Sequence, residues 1–162
     1  MPIKLVGEEV LRAKARDVDV FDASLSRLLE DMLDTMYSAP GIGLAAPQIG
    51  ISKRIIVLDV GDGPIRMTNP KIVEVHGEQV GLEGCLSIPG LYGDVRRHDK
   101  IVVKGQDASG RTFRVPAEGL LSRCFQHEID HLDGKLFTDF ALNLHEKNPN
   151  ADSEEDEPAE EE

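Results

Sequence analysis

The chain is poor in several residue types, and each shortage argues against a class of protein. It has no tryptophan, only 4% aromatic residues, and two cysteines among 162 residues. Two cysteines are too few for the disulfide framework of a small secreted domain, which favours a reducing compartment. The sequence has no run of about 18 apolar residues, so it predicts no membrane-spanning helix. The N-terminal stretch MPIKLVGEEVLRAKARD has no apolar signal core, and we therefore expect a cytoplasmic protein.

Basic residues are outnumbered by acidic ones, 18 to 30, and the resulting negative charge is concentrated at one end of the chain. The net charge is −12, and the segment ADSEEDEPAEEE at 151–162 holds eight acidic residues without a lysine or arginine. Subtracting these eight charges from −12 leaves −4 for the first 150 residues. So much like charge with so little apolar surface predicts a disordered acidic tail, which we bound at 149–162. Neither part of the chain favours nucleic-acid binding.

Two helices are predicted from apolar residues that recur every three or four positions. The first covers residues 23–37 as an amphipathic N-terminal helix and should end just before Pro40. The second should open after Pro116, run through His131 and stop at Gly134, because glycine commonly ends a helix.

Between the two helices the pattern changes to short β-branched runs bounded by turn residues. The predicted strands are RIIVLDV (54–60), KIVEVHG (71–77) and KIVVKGQ (100–106). The turn DASG at 107–110 should lead into RTFRV and form a hairpin. Helix, strands and helix in this order predict an α+β domain over residues 1–148, with mostly antiparallel β-sheets packed around the central C-terminal helix.

The stretch GIGLAAPQIG at 41–50 resembles a dinucleotide-binding turn, and Asp59 follows at about the distance of a ribose ligand. That turn requires a strand before the glycines and a helix that opens within them. Here a helix is predicted before them, and Pro47 falls where the next helix would form its hydrogen bonds. We therefore interpret the glycines as a tight helix-to-strand connection, which leaves a role in catalysis open.

The segment CFQHEIDHLDG at 124–134 contains the pattern H-E-x-x-H. His127 and His131 are four residues apart, so both imidazoles lie on one helix face and can share a metal ion. Glu128 is rotated by about 100° from His127, which places its carboxylate beside such a metal. This arrangement is typical of a residue that handles the proton of a metal-bound water.

A third ligand must come from elsewhere in the chain. Phe137 occupies the position where metzincins carry their third histidine, and Glu146 lies on no recognisable second helix. Cys124 precedes His127 by one turn, and three ligands strung along about 10 Å of one helix cannot converge on a tetrahedral ion. Cys85, in the strand-like segment LEGCLSIPG, can approach the helix from the side and is the better candidate.

Three segments now stand in order: GIGLAAPQ (41–48), EGCLS (83–87) and QHEIDH (126–131). Their combination closely resembles the peptide deformylases, enzymes that remove the N-formyl group from nascent chains. The resemblance covers roughly residues 3 to 140, including EEVLRAKARDVDVF near the N-terminus and EGLLSRCFQHEIDHLDGKLF near the end. Three motifs at this spacing are far more specific than any one of them.

The resemblance implies a metal centre. Cys85, His127 and His131 would hold one divalent ion with water in the fourth position, and Glu128 would act first as general base and then as general acid. In this family the ion is typically Fe²⁺, with Zn²⁺, Ni²⁺ or Co²⁺ able to occupy the site. A thiolate with two imidazoles suits all four ions, so the ligand types do not select among them.

The resemblance also implies how the substrate is held. The Gln48 amide and the Leu86 N–H would form the oxyanion hole, and Gly43 would offer backbone hydrogen bonds to the peptide. A pocket for a methionine side chain would be shaped by Ile42, Leu120 and Cys124. Membership of an ordinary core is the alternative for these three. Arg123 stands beside them, where an apolar residue would be expected.

The implied substrate is an N-formylmethionyl nascent peptide, with transient proximity to the ribosome and with no nucleic-acid or membrane binding. Two other functions share the H-E-x-x-H pattern. A zinc endopeptidase would need a ligand downstream and would leave EGCLS unexplained. A non-catalytic metal module would close the site with a fourth ligand such as His76, His98 or His145. Glu128 would then have no function.

Overall fold

The computed structural model describes residues 1–146, and the predicted acidic tail over 149–162 lies outside them. The helices and strands of this range are α1 (Ala23–Ser38), β1 (Gly43–Ala45), β2 (Ile55–Leu58), β3 (Ile65–Cys85), β4 (Ile88–Gln106), β5 (Thr112–Glu118) and α2 (Gly119–Leu132). No helix among them combines the length and apolar character needed to cross a membrane.

The five strands form one sheet in the order β1-β2-β3-β4-β5, and each neighbouring pair is antiparallel. This confirms the predicted antiparallel α+β architecture and the hairpin at 107–110. The runs at 71–77 and 100–106 are parts of much longer strands, of 21 and 19 residues. The predicted strands were too short because the polar residues around them resemble turns. In the structure, backbone pairing continues through these residues with three shifts of register.

Helix α1 confirms the predicted amphipathic helix nearly to the residue. Its N-terminus is capped by Asp22, whose carboxylate accepts hydrogen bonds from the N–H groups of Ser24 and Leu25. Its apolar face is buried against β1 and β2. The helix ends at Ser38, as expected from Pro40 two residues later.

Helix α2 is the central helix, since ten of its fourteen residues are buried. It begins at Gly119, whereas Pro116 is still within β5 and pairs with Val102. After the helix, Gly134 adopts a left-handed φ of +73°, and a side chain there would collide with the carbonyl of Arg12. The predicted stop is thus confirmed, and it fixes the length of the helix that carries the two histidines.

Candidate metal centre

Three potential metal ligands meet where the end of β3 lies against α2. Cys85 is the last residue of β3, and His127 and His131 lie one turn apart on α2. Their ligand atoms are all within 4.8 Å of one another, and Cys85 Sγ is 3.3 Å from His131 Nε2. The structure therefore brings together the three side chains that the sequence nominated from two distant segments.

Within residues 1–146, no fourth His, Cys, Asp or Glu belongs to this group. His76, His98 and His145, the candidates for a closing ligand, lie outside it. Phe137, at the metzincin ligand position, is buried with its ring stacked 6.0 Å from that of His127. Catalytic zinc sites typically use three protein ligands, whereas structural sites typically use four.

A buried carboxylate orients the first histidine. His127 Nδ1 donates to Glu83 Oε1 at 2.9 Å, which leaves Nε2 as the ring nitrogen available to a metal. Arg97 binds both oxygens of Glu83, at 2.8 and 2.9 Å. Burial opposes the charge of Glu83, but hydrogen bonds from Arg97 and His127 hold its pKa well below the ordinary value. Glu83 is therefore an ionised acceptor.

Burial sets the protonation of the other groups around the cluster. It lowers the pKa of His131 well below the ordinary value, so this imidazole is neutral and able to bind a cation. It raises the pKa of the Cys124 thiol well above the ordinary value, which disfavours a thiolate ligand there. It also raises the pKa of Glu128 to about 7. Glu128 Oε1 is buried with no hydrogen-bond partner among the described residues.

The Gln48 side chain is held in one orientation beside the cluster. Its Oε1 accepts a hydrogen bond from the Ala45 N–H at 2.9 Å. Its Nε2 therefore faces the other way, toward Ser87 Oγ at 3.2 Å and Cys85 Sγ at 3.6 Å. The amide thus presents donors, not its oxygen, to the region around Cys85.

A cleft of about 870 Å³ opens over this cluster. Nine of the ten predicted site residues line it: Ile42, Gly43, Gln48, Cys85, Leu86, Leu120, Cys124, His127 and Glu128. The tenth, His131, is buried behind them beside Cys85. Ile42 and Leu120 are 45% and 52% exposed, which argues against ordinary core positions, while Cys124 is 4% exposed and also packs in the core.

The backbone at Gly43 passes unusually close to two of these side chains. A Cβ atom there would lie 2.5 Å from Glu128 Oε2 and 2.9 Å from Cys124 Sγ. Real Cβ atoms essentially never approach other atoms within 3.0 Å. Glycine is therefore needed at this position for a close approach rather than for an unusual backbone angle.

Glu83, Ser87 and Arg97 contact the site but were not predicted from the sequence to have a role in it. A signal for Glu83 was present, because it precedes Cys85 by two residues and alternate residues of a strand share a face. Arg97 lies on a neighbouring strand fourteen residues away. Nothing local in the sequence pairs it with Glu83.

The chain is similar to known proteins over most of its length. The family model described as Polypeptide deformylase matches residues 1–147. The peptide deformylase of Caldicellulosiruptor bescii is 55% identical over 137 residues, covering 85% of this chain and 82% of its own. That of Carboxydothermus hydrogenoformans is 52% identical over 139 residues, covering 86% and 91%. The crystal structure of the Thermotoga maritima peptide deformylase superposes with a TM-score of 0.85 at 44% identity, covering 87% and 97%.

Proposed function

The chain belongs to the peptide deformylase family, and we propose that its cleft removes the N-formyl group from the N-terminal methionine of new polypeptides. The reaction of this metal-dependent enzyme adds water across the formyl amide and releases formate and a free amine. The observation that carries the assignment of residues is the Cys85, His127 and His131 cluster with the Glu128 carboxylate beside it.

Cys85, His127 and His131 would hold the metal. The donor set fits one, because His127 is oriented by Glu83, His131 is neutral, and the three ligand atoms are close together. When bound, the ion supplies Lewis-acid chemistry: it lowers the pKa of a water and polarises the formyl oxygen. We infer Fe²⁺ as the native ion because it is typical of the family. A thiolate and two imidazoles would also accept Zn²⁺, Ni²⁺ or Co²⁺.

Glu128 is the proton carrier in this proposal. Its carboxylate accepts a proton from the attacking water as the water oxygen bonds to the formyl carbon. The same proton then passes to the departing nitrogen as the C–N bond breaks. A group with a pKa near neutrality suits both steps, and burial raises the pKa of Glu128 to about 7. No hydrogen bond from residues 1–146 occupies its Oε1, which supports a role as proton acceptor.

Gln48 and the Leu86 N–H would stabilise the negative charge that grows on the formyl oxygen. Donors aimed in advance at a developing charge lower the barrier more than donors that must reorient. The Ala45 N–H fixes the Gln48 amide with its Nε2 toward Cys85, which supports this role. Leu86 follows Cys85 directly, so its N–H is tied to the position of that ligand.

The peptide would lie along the backbone of Gly43, which belongs to the edge strand β1 of the sheet. Ile42, Leu120 and Cys124 line the same cleft, and they would receive the methionine side chain. The exposed Ile42 and Leu120 would be covered by this contact. Because formylated chains emerge from the ribosome, the enzyme would act near it in the cytoplasm.

The test compares hydrolysis of a formyl-Met peptide with digestion of casein, alongside elemental analysis of the metal. We expect formate release, no casein cleavage, one ion per chain, and inactivation in air if that ion is Fe²⁺.

Cys85→Ala should remove metal and activity, whereas the matched change Cys124→Ala should retain the metal. Glu128→Gln should retain the metal and lose most turnover, because an amide cannot accept the proton. Metal retained by Cys85→Ala but lost from Cys124→Ala would contradict the ligand assignment, and casein cleavage would favour an endopeptidase.

A further inference from the structure

Arg123 lies at a position beside the cleft where an apolar residue was expected. Its side chain is only 6% exposed, yet its guanidinium is well provided with hydrogen-bond acceptors. It donates to Gln79 Oε1 at 3.0 and 3.1 Å and to Glu83 Oε2 at 2.6 Å. It also donates to the carbonyls of Gly81 at 3.2 Å and Val95 at 2.9 Å. A buried cation with this many partners is held in one position.

These contacts join three elements of the site. Arg123 belongs to α2, four residues before His127, while Gln79, Gly81 and Glu83 belong to β3. Val95 belongs to β4. A side chain at Gly81 would place its Cβ within 3.0–3.1 Å of the guanidinium, so glycine permits this approach. Arg123 therefore ties the helix that carries two metal ligands to the strand that carries the third.

The most informative of these contacts is the one with Glu83. Oε1 of this carboxylate accepts from His127 Nδ1 and from Arg97, while Oε2 accepts from Arg97 and from Arg123. The carboxylate is thus fixed by arginines from α2 and β4 and points one oxygen at the metal ligand. Partners behind a metal-binding histidine set its ring orientation and commonly alter metal affinity about 10–100-fold when removed.

We propose that Arg123 is a positioning residue for the metal centre, acting on His127 through Glu83 and holding α2 in register with Cys85. The inference rests on the proposed metal site. The proposed effect is on the orientation of His127 and not only on the stability of the fold. The two effects can be told apart with Co²⁺, whose visible spectrum reports the geometry of its ligands.

The experiment uses the full chain loaded with Co²⁺ and compares wild type with Arg123→Met and Arg123→Lys. Arg123→Met keeps an apolar stem of similar length but removes every donor. We expect its Co²⁺ affinity to fall about 10-fold, at the lower end for such residues because Arg123 acts through a carboxylate. Its Co²⁺ spectrum should shift. Arg123→Lys can still donate to Glu83 but cannot hold both strands, so we expect an intermediate effect.

Arg54→Met is the matched control. Arg54 is also a largely buried arginine bound to the end of α2, donating to the Leu132 carbonyl and to Asp133, both at 3.0 Å, but it does not contact Glu83. It should lower the thermal unfolding midpoint while leaving the Co²⁺ spectrum unchanged. Combining Arg123→Met with Glu83→Gln should cost little more affinity than Glu83→Gln alone, because the two residues act in one chain of contacts.

The inference is overturned if both Arg123 variants bind Co²⁺ with wild-type affinity and spectrum, even if they unfold at lower temperature. It is also overturned if Arg54→Met shifts the spectrum as much as Arg123→Met does, since the effect would then be general to α2. If Arg123→Met does not fold, Arg123→Lys decides alone. Failure of the proposed function would look different, because wild type itself would then bind no Co²⁺ or release no formate.

Discussion

Replacing Gly43 with alanine should strongly reduce turnover without removing the metal. The added Cβ would lie 2.5 Å from Glu128 Oε2, and an ordinary contact begins at 3.4 Å. The carboxylate would therefore have to move by about 0.9 Å, the difference between these distances, if the backbone stayed in place. Because β1 is fully buried and paired with β2, the side chain should move rather than the strand.

A displacement of about 1 Å in a reacting group can reduce turnover about 10²-fold. We expect a loss of that size in kcat for Gly43→Ala, measured as formate release from a formyl-Met peptide. Bound metal should stay at the wild-type level, because neither clashing atom belongs to a proposed ligand. A wild-type kcat would refute the reasoning, since Glu128 would then have more freedom than its packing implies.

Two further variants test whether the loss of kcat in Gly43→Ala comes from displacement of Glu128 or from another contact. The Cβ of Gly41→Ala would meet the Leu86 Cδ1 atom at 2.8 Å, a side-chain end that can rotate away, so we expect a much smaller loss of kcat. Cys124→Ala in the Gly43→Ala background removes the contact with Sγ but leaves the one with Glu128. If this second change restored turnover, crowding at Cys124 would explain the defect and displacement of Glu128 would not.

Two other predictions concern Gln48 and the acidic tail. Gln48→Ala should lower kcat roughly 10²–10³-fold, the usual cost of one oxyanion donor, with bound metal retained. Unchanged kcat would exclude the amide from the oxyanion hole. Deletion of 151–162 should leave turnover of short formyl peptides unchanged, because α2 ends at Leu132. It should slightly strengthen ribosome co-sedimentation at low salt, where repulsion from RNA is least screened. Loss of either activity or co-sedimentation would indicate a docking arm.

Sequence reasoning could predict the parts of the site that depend on the spacing of residues within one helix or turn. His127 and His131 share a face because four residues make about one helical turn, and Cys85 was selected because Cys124 lies on the wrong part of that helix. The capped helix α1 and the stop at Gly134 likewise follow from adjacent residues. Each of these depends on residues only a few positions apart.

The supporting contacts could not be predicted in this way, because they depend on register between strands. Glu83 pairs opposite Gly93 in the long β3–β4 ladder, and Arg97 reaches it from four residues further along β4. The ladder contains register shifts at Thr68/Lys71, Ile72/Glu74 and Gly84/Cys85. A shift of one residue reverses the face of every later side chain, so the positions of Glu83 and Arg97 relative to α2 required the structure.

Behind His127, two buried or partly buried carboxylates face two buried guanidiniums, and this charge balance determines how strongly each substitution should affect stability. Two carboxylates, Glu83 and Asp130, are joined to two guanidiniums, Arg97 and Arg123, within one connected group. Removing one member of a buried ionic group is costly chiefly when the charge left behind has no other partner. Without Arg123, Glu83 still binds Arg97 through both oxygens, so the fold should survive and a change at the metal can be measured. In Glu83→Gln, two buried arginines lose a carboxylate, and one amide oxygen replaces the two oxygens that accept from His127, Arg97 and Arg123. We therefore expect Glu83→Gln to lower the thermal unfolding midpoint more than Arg123→Met does. The reverse order would mean that the contacts of Arg123 with Gln79, Gly81 and Val95 contribute more to stability than the Glu83 carboxylate does.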